Sequence, residues 1–171
     1  MKIFTIILGF ISFLFISVVS SATSLNEQSF TIYLVRHAEK VTKTNNPPLT
    51  QCGLNRAKQL ATLLEQAEIQ HIYSTDTLRT EQTAAPLAEK LQLNVNSYTA
   101  TDLPDFAQKV KGLKMNTLVV GHSNTTPQLT ALIAGVPVND ITEAEYQMLY
   151  QVQFHGDNAK LTVLKQPLLC L

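Results

Sequence analysis

The sequence has no excess of charge of either sign. Its 171 residues include 13 Lys and Arg against 13 Asp and Glu, so the formal net charge is zero. Proteins that bind nucleic acid or anionic membranes carry concentrated positive charge, and we therefore expect neither partner. Six Gly, seven Pro and two Cys are too few for a collagen-like, disordered or disulfide-scaffold protein. The length fits a single domain.

Cysteine is restricted to Cys52 and Cys170, and two interpretations of the pair are open. A disulfide between them would close a long loop and contribute about 4–5 kcal/mol in the chain-entropy model. Alternatively, both are unpaired small hydrophobic residues. A structural zinc site needs further Cys or His ligands at short spacing, which the sequence does not offer, so we expect no metal.

The amino terminus is the one long hydrophobic stretch. Lys2 precedes an apolar run from Ile3 to Val19, and the small residues Ser20-Ser21-Ala22 follow it. A basic start, an apolar centre and a small-residue exit are typical of a secretory signal peptide. We predict that residues 1–22 are a signal peptide and that residues 23–171 form an exported domain, periplasmic or extracellular, without membrane insertion after cleavage. The alternative is an uncleaved anchor, because the run is at the lower limit of spanning length.

Beyond this segment, strand-length apolar runs alternate with stretches of helical periodicity. The predicted strands are residues 30–35, 71–73, 93–98, 117–120, 146–154 and 161–164. The predicted helices are residues 50–67, 78–91 and 126–134, with a weak one that ends at about Lys111. This alternation indicates an α/β domain with a mostly parallel sheet flanked by helices. Ligands in such sheets bind beyond the carboxyl ends of the strands.

The unusual polar residues follow predicted strands at those ends. Arg36 and His37 come after the first strand, Arg79 follows the second, and His122 follows the strand at residues 117–120. The chain has only three Arg in all, and a guanidinium is a planar fork that can hold two phosphate oxygens together. Two such forks and two imidazoles suit a phosphoryl group, which one neutral imidazole could attack in line.

Four segments in this order resemble a known family. They are Arg36-His37-Ala38-Glu39-Lys40, the helix start Leu49-Thr50 with Gly53 and Arg56-Ala57, the run Ser74-Thr75-Asp76 with Arg79-Thr80 and Thr83-Ala84, and Val119-Val120-Gly121-His122-Ser123. Together they are similar to the motifs of the histidine phosphatase (phosphoglycerate mutase-like) superfamily, with Ala38 in the usual Gly position. The resemblance extends over about residues 30 to 152.

The resemblance implies a three-layer sandwich of the phosphoglycerate mutase-like type. It also implies a phosphatase that hydrolyses a phosphomonoester through a phosphohistidine on His37, with Arg36, Arg79 and His122 binding the phosphoryl group. No metal or organic cofactor is expected. The expected substrate is a small-molecule or envelope-associated phosphorylated compound, and the oligomeric state is left open.

The general acid is less well indicated. Ser123 stands after His122 where the acid-phosphatase branch carries an acidic residue, so that branch is disfavoured. In the other branch the acid comes from the segment after the second helix, which makes Asp102 the preferred candidate. Further candidates are Asp105, Glu39 and Glu81. Lys43 stands where mutases usually carry Asn, which weakens the mutase option and makes Lys43 a candidate phosphate contact.

Three other interpretations compete with this one. Gly121-His122-Ser123-Asn124-Thr125 resembles a nucleophile elbow, with Asp140 and His155 following in hydrolase order, but Thr125 replaces the last Gly of that motif. His37-Ala38-Glu39 resembles the first motif of zinc deaminases, whose cysteine pair is absent. A non-catalytic protein that binds a phosphorylated ligand on the same fold is the third. Arg56 is expected to be solvated or paired with Asp or Glu, and His71 and His155 are expected to be structural or exposed.

Overall fold

The computed structural model describes residues 28–42 and 44–167. The predicted signal peptide, Lys43 and Cys170 lie outside the described residues. Six strands and four helices are present: β1 (Ser29–Arg36), α1 (Gln51–Leu64), β2 (His71–Ser74), α2 (Leu78–Leu91), β3 (Val95–Ser97), α3 (Leu103–Leu113), β4 (Thr117–Gly121), α4 (Thr125–Ala134), β5 (Met148–His155) and β6 (Asn158–Lys165). In this part of the chain no helix is long and apolar enough to cross a membrane.

The strands form one sheet in the order β3-β2-β4-β1-β5-β6. The first four of these strands are parallel, whereas β5 runs antiparallel to β1 and β6 antiparallel to β5. In the centre, Arg36 at the end of β1 is in register with Gly121 at the end of β4. The predicted mostly parallel sheet is confirmed, with an antiparallel pair at one edge.

Alternate residues of the central strands pack into two separate cores. From β1, Ile32 and Leu34 enter a core with α3 and α4, whereas Val35 enters the other core with α1 and α2. All five residues of β4 are buried, as expected for a strand covered on both faces. The helices therefore cover both faces of the sheet, and the predicted three-layer α/β sandwich is confirmed.

Local signals explain where the helices begin and end. The Thr50 side chain accepts a hydrogen bond from the Gly53 amide at 3.1 Å, which caps α1. Gly135 ends α4 at a φ of 69°, a left-handed conformation that favours glycine. In the first turn of α1, Cys52 is disulfide-bonded. Of the two interpretations of Cys52, the disulfide is therefore the one that the structure contains.

Candidate active site

The carboxyl ends of three parallel strands bring the predicted residues together. Arg36 ends β1 and His37 follows it, His122 follows β4, and Arg79 lies in the first turn of α2 after β2. The His37 and His122 rings lie edge to face with their centroids 5.5 Å apart. Nη2 of Arg79 lies 3.4 Å from Nδ1 of His122. Residues that are far apart in the sequence thus share one edge of the sheet, as expected for a parallel α/β fold.

The tautomer of His37 is determined by its own backbone. Its Nδ1 lies 2.8 Å from the carbonyl oxygen of Ala38, which can only accept a hydrogen bond. Nδ1 must therefore carry the hydrogen, and Nε2 of the neutral ring carries the lone pair. The His37 amide also donates to the carbonyl of Gly121 at 2.9 Å, which joins the ends of β1 and β4. The free nitrogen is the one that a nucleophilic imidazole would use.

His122 is oriented by a chain of buried hydroxyl groups. A guanidinium only donates, so Nδ1 of His122 accepts from Arg79 and Nε2 carries the hydrogen. Nε2 donates to Oγ1 of Thr75 at 2.9 Å, and that hydroxyl donates to Oγ1 of Thr80 at 3.1 Å. Thr80 in turn donates to the carbonyl of Thr75 at 2.8 Å. Both Thr side chains belong to buried residues, so the chain is shielded from water.

Burial and nearby cations keep both imidazoles neutral. Burial, together with the charges of Arg36 and Arg79, lowers the pKa of His37 to about 3. Burial lowers the pKa of His122 to about 4, and the same two guanidinium groups contribute. A neutral imidazole is nucleophilic, whereas a protonated one is not. Across the physiological pH range, His37 therefore holds the reactive form.

Arg36 is held by an extensive set of backbone acceptors. It is 2% exposed, and Nη1 donates to the carbonyls of Thr142 and Glu143 at 3.0 Å and to that of Glu145 at 3.1 Å. The guanidinium carbon lies 4.1 Å from the centre of the Tyr146 ring, a stacked arrangement. The loop before β5 is thereby anchored to the end of β1.

The guanidinium groups of Arg36 and Arg79 each keep a buried donor without a partner in the described part of the chain. Among the described residues, Nε of Arg36 and Nε of Arg79 are buried and have no hydrogen-bond partner. A buried donor without a partner is costly, so native proteins keep few of them. An anion at this edge of the sheet would satisfy these donors, and a phosphoryl group has the oxygens to do so.

A carboxylate also reaches this edge of the sheet. Oε2 of Glu143 accepts from Nη2 of Arg36 at 2.8 Å, although 73% of the Glu143 side chain is exposed. Its other oxygen accepts a hydrogen bond from the Ser123 hydroxyl. This hydrogen bond and the positive charges of Arg36 and Lys40 lower the pKa of Glu143. Glu143 therefore bridges the residue before His37 and the residue after His122.

The segment after His37 is held by a buried ion pair. Nε of Arg56 donates to the two carboxylate oxygens of Glu39 at 3.0 and 2.9 Å, and Nη2 donates to Oε1 at 2.5 Å. Gly53 lets α1 approach this segment, because a Cβ there would lie 2.2 Å from the Glu39 carbonyl oxygen. Arg56 is thus paired with an acidic residue, and Glu39, a candidate acid, is committed to that pair.

The other candidate acids lie elsewhere. Asp102 precedes α3 and accepts from the Asp105 amide at 3.3 Å, which makes it the N-cap of that helix. Asp102 and Asp105 line a cleft of about 500 Å³ that contains none of the four predicted site residues Arg36, His37, Arg79 and His122. Glu81 lies in the first turn of α2. The assignment of Asp102 as the general acid stays a prediction, and Lys43 lies outside the described residues.

The competing constellations are not assembled. Ser123 donates to Glu143, at the carboxyl end of β4. His155, however, lies 2.9 Å from the hydroxyl of Ser29, the first residue of the parallel strand β1, and so at the opposite edge of the sheet. Ser123 and His155 therefore do not form the pair that ester hydrolysis would need. Among the described residues, no group of three or more His, Cys, Asp or Glu could hold a metal ion.

Sequence reasoning missed Thr75 as a partner of His122, and it missed the whole contribution of the loop before β5. Thr75 lies within one of the quoted segments, so an acceptor beside His122 could have been sought there. Glu143 offered no such signal, because it lies 107 positions from Arg36 in a stretch without periodicity. Its contact is visible only in the folded chain.

The comparison with protein families confirms the resemblance found in the sequence. Residues 32–102 match the model of the histidine phosphatase superfamily (branch 1). Members of this superfamily are phosphatases or mutases. The match begins within β1 and ends at Asp102, so it includes Arg36, His37 and Arg79, whereas His122 lies beyond it.

One curated relative matches over a short stretch. The protein described as "Probable phosphoglycerate mutase GpmB" from Proteus mirabilis (strain HI4320) is 37% identical over 71 residues. The match covers 37% of this chain and 33% of the relative, so it spans about a third of the relative's length.

Solved structures share the fold over most of the chain. The protein histidine phosphatase SixA, complexed with tungstate, is 18% identical, with a TM-score of 0.67 over 79% of this chain and 96% of that one. A mycobacterial glucosyl-3-phosphoglycerate phosphatase is 14% identical, with a TM-score of 0.59 over 81% of this chain and 98% of that one. At these identities the likeness establishes the fold alone.

Proposed function

We propose that this chain, with its histidine phosphatase motifs, is a phosphatase that hydrolyses a phosphomonoester through a phosphohistidine on His37. The observation that carries the proposal is the pair of buried Nε donors of Arg36 and Arg79, which lack partners beside a neutral imidazole whose Nε2 is free. Donors and nucleophile together form a site for a group that is both anionic and electrophilic. A phosphoryl group has both properties.

The reaction takes place in two displacements. Nε2 of His37 attacks phosphorus in line as the bond to the leaving oxygen breaks. Arg36 and Arg79 donate to the equatorial oxygens and stabilise their charge in the transition state, while His122 lies beside them and orients the Arg79 guanidinium through Nδ1. Water then attacks the phosphohistidine, and His37 recovers its lone pair as inorganic phosphate departs. Nδ1 of His37 donates to Ala38 throughout, so the ring does not rotate between the two steps.

A mutase would need the phosphoryl group to return to a second position on the substrate instead of passing to water. Glu143 faces the site from the solvent side, and 73% of its side chain is exposed, so water has access to that edge. This favours hydrolysis. A non-catalytic protein that binds a phosphorylated ligand needs no free nucleophilic nitrogen, so the tautomer of His37 favours an enzyme over such a protein.

The proposed substrate class is a small-molecule or envelope-associated phosphorylated compound. By their names, SixA is a protein histidine phosphatase and the mycobacterial enzyme is a glucosyl-3-phosphoglycerate phosphatase. Phosphohistidine peptides and sugar phosphates are therefore the first compounds to assay. We also propose that residues 1–22 direct export. Cell fractionation and amino-terminal sequencing of the mature protein test this, and a cytoplasmic protein that retains Met1 contradicts it.

The test of the activity is phosphate release from p-nitrophenyl phosphate. His37→Ala should abolish release, whereas His155→Ala, a change at the opposite edge of the sheet, should leave it within about twofold of wild type. Arg79→Ala should reduce turnover by at least 100-fold, the scale observed when one preorganised donor to a developing oxyanion is removed. Full activity of His37→Ala would overturn the mechanism. Saturable phosphate binding without turnover in the wild type would instead indicate a binding protein.

A further inference from the structure

The Glu143 carboxylate is held by two residues at the edge of the sheet that carries the imidazoles. It accepts from Nη2 of Arg36 at 2.8 Å and from the hydroxyl of Ser123, the residue that follows His122. It therefore lies between the two strand ends that supply the imidazoles.

The backbone around Glu143 is anchored to the same guanidinium. Three carbonyl oxygens of residues 142–145 accept from Nη1 of Arg36. The loop is also closed on itself, because the Thr142 amide donates to Oε2 of Glu145 at 2.8 Å. The Glu143 side chain is thus 73% exposed to solvent while its backbone is fixed against a site residue. It is therefore open to exchange protons with water, beside a guanidinium that is expected to hold the phosphoryl group.

No other acidic side chain of the described residues is bonded to Arg36, His37, Arg79 or His122. Asp102 caps α3, and Glu39 is held by Arg56. Transfer of a phosphoryl group to His37 leaves an alkoxide, which needs a proton unless it is an intrinsically good leaving group. The step therefore requires an acid near the solvent side of the site, and Glu143 is in that place.

Building on the proposed function, we propose that Glu143 is the general acid and base of the reaction. As the bond between Nε2 of His37 and phosphorus forms and the bond to the ester oxygen breaks, the carboxyl group gives its proton to that oxygen. In the second step the carboxylate takes a proton from water as the water oxygen bonds to phosphorus. The bond to His37 breaks, its electron pair returns to Nε2, and phosphate leaves with Glu143 again protonated.

The charges around Glu143 change when substrate binds. In the free site Arg36, Lys40, Arg79 and His122 face the carboxylate, together with the Ser123 hydroxyl. An incoming phosphoryl group competes for Nη2 of Arg36 and places negative charge beside the carboxylate. Both changes favour the protonated form. Substrate binding therefore prepares the acid that the first step consumes.

The test compares two esters that differ in their need for an acid. p-Nitrophenyl phosphate has a good leaving group, whereas ethyl phosphate releases a strongly basic alkoxide. Rapid-quench measurement of phosphoenzyme formation gives the phosphorylation rate for each. In Glu143→Gln, the rate from ethyl phosphate should fall at least 100-fold, the usual scale for general acid catalysis. The rate from p-nitrophenyl phosphate should fall less than about tenfold, followed by slow hydrolysis that appears as a product burst.

The controls separate the two proposals. Asp140→Asn lies in the same 270 Å³ cleft as Glu143 and should leave both rates within about twofold of wild type. An equal loss for both esters in Glu143→Gln would mean that Glu143 only positions Arg36, and would overturn the assignment. A selective loss for ethyl phosphate in Asp102→Asn instead would overturn it in favour of Asp102. Absence of any phosphoenzyme in the wild type would refute the proposed function itself.

Discussion

Removal of the Glu39 carboxylate should destabilise the domain strongly. Arg56 is 2% exposed, and its guanidinium makes three hydrogen bonds of 2.5–3.0 Å to that carboxylate. In Glu39→Ala the buried guanidinium loses this counter-charge. Breaking a buried ion pair from one side costs about 3–5 kcal/mol. For a domain of this length, that loss corresponds to a melting temperature lower by roughly 6–20 °C.

Thermal and urea unfolding of Glu39→Ala, Arg56→Met and the double variant measure this directly. The free energy of unfolding should fall less in the double variant than the sum of the two single decreases, because each single change leaves an unpaired charge. Lys90→Met is the matched control, since Lys90 pairs with Glu65 at the surface with its side chain 47% exposed. For Lys90→Met we expect the free energy of unfolding to fall by less than about 1 kcal/mol. A Glu39→Ala melting temperature within about 2 °C of wild type would refute the reasoning.

The same variant should also lose activity. Ala38, whose carbonyl orients the His37 ring, lies between His37 and the ion-paired Glu39. Loosening this segment lets the imidazole leave its in-line orientation, and small misplacements of reacting groups reduce rates steeply. Turnover of folded Glu39→Ala below the melting transition should therefore fall with little change in KM. Unchanged turnover would show that the ion pair serves stability alone.

Three further changes test other parts of the structure. Gly121→Ala would place a Cβ 2.8 Å from the Tyr98 hydroxyl, so we expect the free energy of unfolding to fall by about 1–3 kcal/mol and turnover to fall as well. Gly112→Ala is the control, because a Cβ there would meet nothing within 4 Å, and it should be neutral or stabilising. Because burial holds the pKa of His37 at about 3, the unfolded chain binds its proton first as the pH falls below about 6.5. Wild type should therefore lose stability between pH 6 and pH 4 more steeply than His37→Gln, by up to about 1.4 kcal/mol per pH unit, and equal slopes would contradict the buried neutral state. Cys52→Ser should reduce the free energy of unfolding by about 4–5 kcal/mol and make it insensitive to reductant, and an unchanged denaturant midpoint would show that the disulfide contributes nothing.

Elements with a strong periodic pattern were predictable from the sequence. The predicted and observed limits of α2 coincide at Leu78 and Leu91, because its buried face follows helical spacing throughout. Edge elements were less well defined. β3 occupies only Val95–Ser97, shorter than the predicted 93–98, since an edge strand has a partner on one side alone. β5 begins at Met148 rather than at Tyr146, whose ring instead covers the Arg36 guanidinium.

The site likewise has residues that were predictable from the sequence and residues that were not. Arg36, His37, Arg79 and His122 were predictable because each follows a strand and the carboxyl ends of parallel strands converge. The loop before β5 has no periodicity and no motif, so its carbonyls around Arg36 and the Glu143 carboxylate become visible only in the folded chain. Contacts of this kind depend on the tertiary path of the loop and leave no local trace in the sequence.

The central claim is that His37 carries the phosphoryl group during the reaction. The direct test is to mix wild type with p-nitrophenyl phosphate labelled in its phosphate and to quench with denaturant in base. Phosphohistidine survives in base, and phosphoserine is distinguished from it by its stability in acid. We expect label on the peptide that contains His37, bonded to Nε2, and none in His37→Ala. Turnover in the wild type with label on another residue, or with none on His37 under single-turnover conditions, would contradict the account.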